Sequence, residues 1–282
     1  MAILTQLTIY PIKSCAGIDV PDAILTPAGL STGVLADRQW MVVDTNGHFL
    51  TQREYPRMAV IRPQLAPHAL LLSAPGQSPL ALPYPHQQDA RLVRVTLWDE
   101  VFDADDGGDA AARWFSAALG VACRLVRFAA DAVRLTGQRW TGGIGAPTRF
   151  ADGYPLLLIG AASLDDINAQ LLQAGRAALP MNRFRPNLVV AGLASFEEDY
   201  LGRLTIGDAV ITPVKPCPRC PIPAIDQATA ERGPDPLDVL QRFRRKALLD
   251  DAVCVGMNCI VSAGAGVRLT VGQQVEAELA FE

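Results

Sequence analysis

Hydrophobic and polar positions alternate with period two through the first third of the chain. The runs LTIYPI, RQWMVVD, HFLTQ, ALLLSA and RLVRVTLW are short, and turn residues bound each of them. Alternation in runs of this length predicts strands. Asn46-Gly47 between two of them signals a hairpin, because both residues accept the positive φ of a tight turn. The Pro- and Gln-rich stretch from Pro75 to Gln88 predicts loop or edge strand, since proline cannot donate to a ladder. The period then changes. AAARWFSAAL predicts a helix with Asp109 as N-cap and Gly120 just past its end, its apolar face made by Trp114, Phe115, Ala118 and Leu119.

CRLVRFA returns to a strand pattern. Residues 130–152 hold no period and contain TGGIG, which predicts a long connection. YPLLLIGA is an apolar run expected to form a buried strand. Ser163-Leu-Asp-Asp166 is a capping-box pattern with Asp in place of Glu, and Leu164, Ile167, Leu171 and Leu172 mark the helix face that follows. NLVVAG, LTIGDAVITPVK, IVSAG and VRLTVGQQVEAEL read as strands. A further helix is expected over about Leu237 to Leu248, with Leu240 and Phe243 inward. Leu204–Val210 and Leu269–Val275 share a strand–turn–strand corner, and two matches are too few for a repeat protein. Many short strands with a few helices define a β-rich α+β fold: an N-terminal β-barrel-like domain followed by a C-terminal β-barrel domain.

Composition narrows this little. The chain has 282 residues, 50% hydrophobic and 19% charged, which is ordinary for a globular protein. The length suits two domains, divided here as 1–128 and 129–282. A net charge of −4 without a dominant charged run gives no footprint for nucleic acid. No apolar run approaches the ~20 residues of a membrane helix. The start, AILTQLTIYPIKS, lacks the basic opening and apolar core of a signal peptide. A cytoplasmic location and no membrane partner are therefore expected.

The cysteines change the picture more. Cys15, Cys123, Cys217, Cys220, Cys254 and Cys259 are too sparse for a disulfide scaffold, yet four fall in the last third. The sharpest motif is Lys215-Pro-Cys-Pro-Arg-Cys-Pro221. Zinc held with Cys254 and Cys259 is one reading, though that second pair is poorly spaced for a zinc knuckle. A thiol–disulfide pair is another, but such pairs open helices, and here a strand precedes and prolines follow. Two readings remain open on the local sequence. In one, small cysteines are simply buried in a Pro-rich turn. In the other, one thiolate binds a soft, redox-active metal, with Arg219 and Lys215 favouring the charged sulfur.

Several separated motifs, taken in order, resemble one family. They are IYPIKSCAG, DRQWMVVD, LTQREYP, GDAAARWFSAALG, DGYPLLLIGAASLDDIN, MNRFRPNLVV, KPCPRC and GMNCIV. Together they cover nearly the whole chain. They resemble MOSC proteins that carry an N-terminal β-barrel domain, in particular the mitochondrial amidoxime-reducing components and their bacterial counterparts.

The resemblance implies a molybdenum cofactor, a molybdopterin whose metal takes the second cysteine of the C-x-x-C pair, Cys220. It implies cofactor contacts from Lys13, Thr51, Arg53, Asn182, Arg183, Arg185, Asn187 and Arg219. Cationic forks and directed donors suit a dianionic phosphate. Cys217 is expected to shape the turn. The implied chemistry is two-electron reduction of small N-hydroxylated compounds: amidoximes, hydroxylamines and N-hydroxylated bases. The electrons are expected from a separate redox protein, because the sequence shows no nicotinamide or flavin motif and no iron–sulfur cysteine cluster. The basic run Arg242, Arg244, Arg245 and Lys246 is a docking face for that donor or a solvated helix face. Where the relatives carry threonines three and four residues after the metal cysteine, this chain has Pro223 and Ala224. Asp226 is retained and is a candidate proton donor or an ordinary turn carboxylate. The alternatives to a reductase are a non-catalytic cofactor carrier and a persulfide carrier working through Cys220.

Overall fold

The computed structural model describes residues 1–84 and 91–280. Strand Leu156–Gly160 is buried at all five positions, which is why it reads as an unbroken apolar run. It opens a closed seven-stranded barrel. In order around the barrel the staves are Leu156–Gly160, Leu188–Ala191, Ala2–Ile9, Gln274–Leu279, Leu201–Ile206, Ala209–Pro218 and Ala252–Ala263. The last returns to the first through the antiparallel pair Leu156↔Cys259. One barrel pair is parallel, Leu158↔Leu188, and helix Ala161–Gln173 lies between its two strands in sequence, as a parallel crossover requires. Closure leaves the barrel without free edges. Leu4, Leu7, Leu158, Leu188, Leu204 and Ile211 fill it.

The first strand is a central stave of this barrel. Ala2–Ile9 pairs with Leu188–Ala191 on one side and with Gln274–Leu279 on the other. Asp22–Thr26 likewise pairs with Arg268–Thr270. Strand pairing therefore crosses the sequence division at 128/129. Two smaller sheets lie in the first half. One orders Trp40–Asp44, Cys123–Arg127, Glu100–Asp106 and Leu92–Leu97; the other orders Arg62–Leu65, Ala69–Ser73 and Leu80–Pro83. Helix Gly108–Leu119 packs into their shared core through Ala111, Phe115, Ala118 and Leu119, beside Trp40, Leu70 and Leu125. It starts one residue before Asp109, whose carboxylate pairs with Arg124 instead of capping. It ends at Gly120 in the left-handed conformation, as expected.

Other local expectations are modified. HFLTQ makes only isolated bridges, Val43↔Phe49 and His48↔Thr96. Strand Leu80–Pro83 falls inside the Pro-rich stretch, and residues 85–88 of that stretch lie outside the described residues. Helix Ala161–Gln173 begins two residues before Ser163. That hydroxyl bonds the buried Glu198 carboxylate at 2.6 Å instead of forming a capping box. Leu172 lies on the exposed side of the helix.

The helix expected over Leu237–Leu248 stops at Leu240. The cause is Arg244, which turns inward. It donates to the Cys254 carbonyl at 2.9 Å and pairs with the buried carboxylate of Asp199, which Lys246 also meets at 2.6 Å. The basic run is thus not a helix face, and two of its four charges are neutralised by Asp199. No helix of the described residues is long and apolar enough to cross a membrane.

Candidate functional site

Three prolines shape the strand that leads into the cysteine motif. Pro213, Pro216 and Pro218 lack the N–H that a ladder needs. Along Ala209–Pro218 the register against Ala252–Ala263 slips between Val210 and Ile211, between Pro213 and Lys215, and again between Pro216 and Pro218. Such bulges re-aim side chains. Here both Lys215 and Cys217 line one cavity. Opposite them, Gly256 takes φ +75, and a Cβ there would lie 2.5 Å from the Leu158 carbonyl oxygen, so only glycine lets the strands approach.

Beyond the strand, the Cys220 turn is braced from behind. The Arg219 N–H donates to the Val253 carbonyl, and its guanidinium donates to the Phe184 carbonyl at 2.7 Å and to Cys217 Sγ at 3.2 Å. Arg183 is buried and donates to the Pro223 carbonyl at 3.0 Å while pairing with Asp226 at 2.6 Å. Cys220 itself makes no hydrogen bond among the described residues and faces the cavity.

The cavity encloses about 270 Å³. Five of its described lining residues are basic, Lys13, Arg38, Arg185, Lys215 and Arg219, against a single carboxylate, Asp152. The site thus carries an excess of positive charge suited to a polyanion. Lys13 donates to the Phe150 carbonyl and pairs with Asp152 at 2.5 Å. Burial pulls the Lys13 ammonium below its usual range, and Asp152 opposes that. Desolvation in the cavity alone would raise the Asp152 carboxyl, but Lys13 outweighs this and holds it down at about 2.

Arg38 pairs with Asp37 at 2.5 Å. Arg38 and Arg185 both lie over the Tyr10 ring, at 4.3 and 4.2 Å. Burial, despite the two guanidiniums, pushes the Tyr10 phenol up to about 12, so it stays a donor, bonded to the Pro186 carbonyl. Ser14, Arg38 and Arg185 all have positive φ, at 66°, 47° and 58°. Strained non-glycine backbone gathered on one cavity is a mark of a functional site.

The expected site residues divide. Cys220, Lys13, Arg185, Asn187 and Arg219 line this cavity. The Asn187 amide is spent on structure: it donates to the Thr8 carbonyl and Asp37, and accepts from Arg38 and the Leu157 N–H. Arg183 lies behind the wall as a brace. Asn182 lines a neighbouring cavity of about 280 Å³, which meets the first at Arg185. Thr51 is buried and accepts from Arg53, whose guanidinium stacks on Trp98 at 4.8 Å. Neither lines the main cavity, although the Arg53 charge reaches Asp152.

Arg38, Asp152, Tyr154 and Asn258 line the cavity and were not anticipated. Arg38 stood within the DRQWMVVD motif, and Asp152 opened DGYPLLLIG. Their roles depend on contacts with Asn187 and Lys13, far away in sequence. Among the described residues no three His, Cys, Asp or Glu side chains cluster as metal ligands, so the four late cysteines form no zinc site there.

The residues present fit the anionic cofactor that the resemblance implies. Arg185 and Lys215 have no carboxylate or hydrogen-bond partner among the described residues, only the rings of Tyr10 and Trp140. Buried Arg219 Nε is also unpaired. Charges left this way need a ligand. An unengaged thiol stands beside them to take a soft metal.

Barrel and cavity together define a two-part β protein with a cationic cavity beside a cysteine turn. Family comparison agrees. A model described as the MOSC N-terminal beta barrel domain matches residues 1–122, and one described as the MOSC domain matches residues 146–276. The chain belongs to the MOSC family and carries both of its domains. Mitochondrial amidoxime reducing component 2 of Rattus norvegicus is 35% identical over 248 residues, covering 86% of this chain and 72% of that protein. Its Homo sapiens counterpart is 34% identical over 246 residues, with the same shares. The molybdenum cofactor sulfurase of Bos taurus is 29% identical over 295 aligned positions, covering 97% of this chain and 33% of the sulfurase.

Proposed function

We propose that the chain is a molybdenum-cofactor-dependent reductase of N-hydroxylated compounds such as amidoximes. The observation that carries this reading is the convergence of the Cys220 thiol with the unpaired cations Arg185 and Lys215 on one cavity. Relatives named for amidoxime reduction support it. When bound, the cofactor supplies the electron pair for cleavage of the N–O bond. An amidoxime takes two electrons and two protons, leaving an amidine and water.

The chain's own residues do the rest. Cys220 would offer its sulfur to the metal. Arg185, Lys215 and Arg219 would hold the anionic phosphate and pterin by charge-assisted hydrogen bonds, beside Lys13 and Arg38, which Asp152 and Asp37 fix in the wall. Asp152 orients Lys13, and Phe184, Leu156, Leu157 and Ile222 wall the site from water. Asp226 does not suit proton delivery. Backbone N–H groups of Ala228 and Thr229, with Arg183, hold its carboxyl below the usual range, so it stays ionised. Tyr154 lines the cavity, and burial raises its phenol, so it keeps its proton there. Electrons come from a separate redox protein.

The test is metal and pterin quantification on protein made in a cofactor-competent host, then reduction of benzamidoxime with a chemical reductant. Molybdenum with turnover supports the reading. Molybdenum without turnover favours a carrier, and sulfane sulfur on Cys220 without molybdenum favours a persulfide carrier.

A further inference from the structure

The loop 137–145 supplies no lining residue of the cavity but stands beside it, against Lys215. At its neck the Thr136 N–H donates to the Ala146 carbonyl at 2.8 Å, and the Ala146 N–H donates to Thr136 Oγ1 at 3.0 Å. Just outside the neck, buried Arg134 donates to the carbonyls of Arg149 and Ala151 at 2.8 and 2.6 Å. This ties the loop to the segment that carries Asp152. At the tip, Trp140 reaches the opposite wall. Its ring lies 5.7 Å from Lys215 Nζ, on the strand that runs into Cys217 and Cys220.

The loop is built to present that ring. Gly137, Gly142 and Gly143 stand in open space, and the last two take φ +62 and +87. Glycine there gives the backbone freedom to adjust. The indole is half-buried, and its N–H has no acceptor among the described residues. The Arg139 guanidinium also lies near it, 5.4 Å from the ring centre. An aromatic face with a free N–H at the cysteine end of a cationic cavity is a platform for a flat, delocalised molecule bearing a hydrogen-bond acceptor.

We propose that Trp140 is a specificity-determining residue, selecting planar, delocalised N-hydroxylated compounds over aliphatic hydroxylamines by stacking. This rests on the reductase reading above. The experiment uses the cofactor-loaded full chain as wild type, Trp140→Ala and Trp140→Phe, with a chemical reductant so that donor docking plays no part. Turnover is measured on benzamidoxime and on N-methylhydroxylamine. Binding of benzamidine, the flat product, is measured separately by calorimetry, and molybdenum content is checked throughout.

Stacking of this kind predicts a KM for benzamidoxime raised roughly tenfold in Trp140→Ala, with kcat within about twofold. The same variant leaves N-methylhydroxylamine within about twofold, weakens benzamidine as KM weakens, and keeps its molybdenum. Trp140→Phe regains most of the loss. Equal effects on both substrates, unchanged benzamidine binding, or loss of molybdenum in Trp140→Ala overturns the assignment. Should wild type hold molybdenum and turn over neither substrate, the reductase reading fails. The benzamidine titration then still decides whether Trp140 is a stacking platform.

Discussion

The cavity wall contributed by the first third of the chain and the wall contributed by its later part use the same cations in opposite ways. Lys13 and Arg38 each face a carboxylate, Asp152 and Asp37, and both are fixed by further bonds to Phe150 and Asn187. Arg185, Lys215 and Arg219 make no ion pair among the described residues. A paired buried cation is held in place and largely neutralised, and an unpaired one keeps its field for a ligand. The early wall thus fixes geometry, and the later wall supplies the attraction.

The largest effect is expected at the later wall's sulfur. Cys220→Ser should abolish molybdenum-dependent turnover and remove the thiolate signature in X-ray absorption, since a hydroxyl is a poor ligand for a soft site. Cys217→Ser, which changes the contacts with Arg219 and the Pro218 carbonyl, should be milder; equal losses in the two variants would break the distinction. Next come the unpaired cations. Arg185→Ala and Lys215→Ala should each weaken cofactor retention about ten- to hundredfold, as loss of a charge-assisted bond predicts. Their melting temperatures without cofactor should hardly move. A large drop there would show that these side chains support the fold instead.

Asn187→Ala should do the reverse. Its amide serves Thr8, Asp37, Arg38 and Leu157, so its loss should cost about 2 kcal/mol in urea unfolding by orphaning buried partners. The smallest effect belongs to the Lys13–Asp152 pair. Asp152 titrates at about 2 in the folded chain, below the ~3.9 of an unfolded Asp. Its contribution is therefore complete above about pH 4 and is lost as pH falls toward 2. Because 76% of the Asp152 side chain is accessible from the cavity, screening keeps that contribution under about 1 kcal/mol. Asp152→Asn should flatten the wild-type decline over that window, and an identical decline in both would assign it to other groups.

Period and punctuation made much of the fold legible. Asn46-Gly47, Gly120 and the apolar run Leu156–Gly160 all mark what they form, because each signal is local. What escaped was long-range. The alternation of Ala2–Ile9 identifies a strand but carries no trace of its partners near residues 190 and 275. The short helix at Leu237–Leu240 is explained by Asp199, whose pull on Arg244 no periodicity encodes. In the site, KPCPRC was visible because prolines and cysteines are rare punctuation. The resemblance grouped Arg183 and Asn187 with Arg185 as cofactor contacts, yet only the structure separates the brace, the strut and the free cation. Arg38 was hidden for the same reason.

The first stave of the barrel has a consequence for how the protein is made. Ala2–Ile9 is synthesised well before its barrel neighbours, the strands that begin at Leu188 and Gln274. At ordinary elongation speeds of roughly 5–20 residues per second, it waits about ten to forty seconds for the nearer of them. Until then the strand has no barrel to join and is exposed to wrong pairings. Lys13 follows closely on it, and Cys220 lies between those two neighbours in sequence. The two sides of the cavity meet only after most of the barrel strands are synthesised, so the cavity forms late in the making of the barrel.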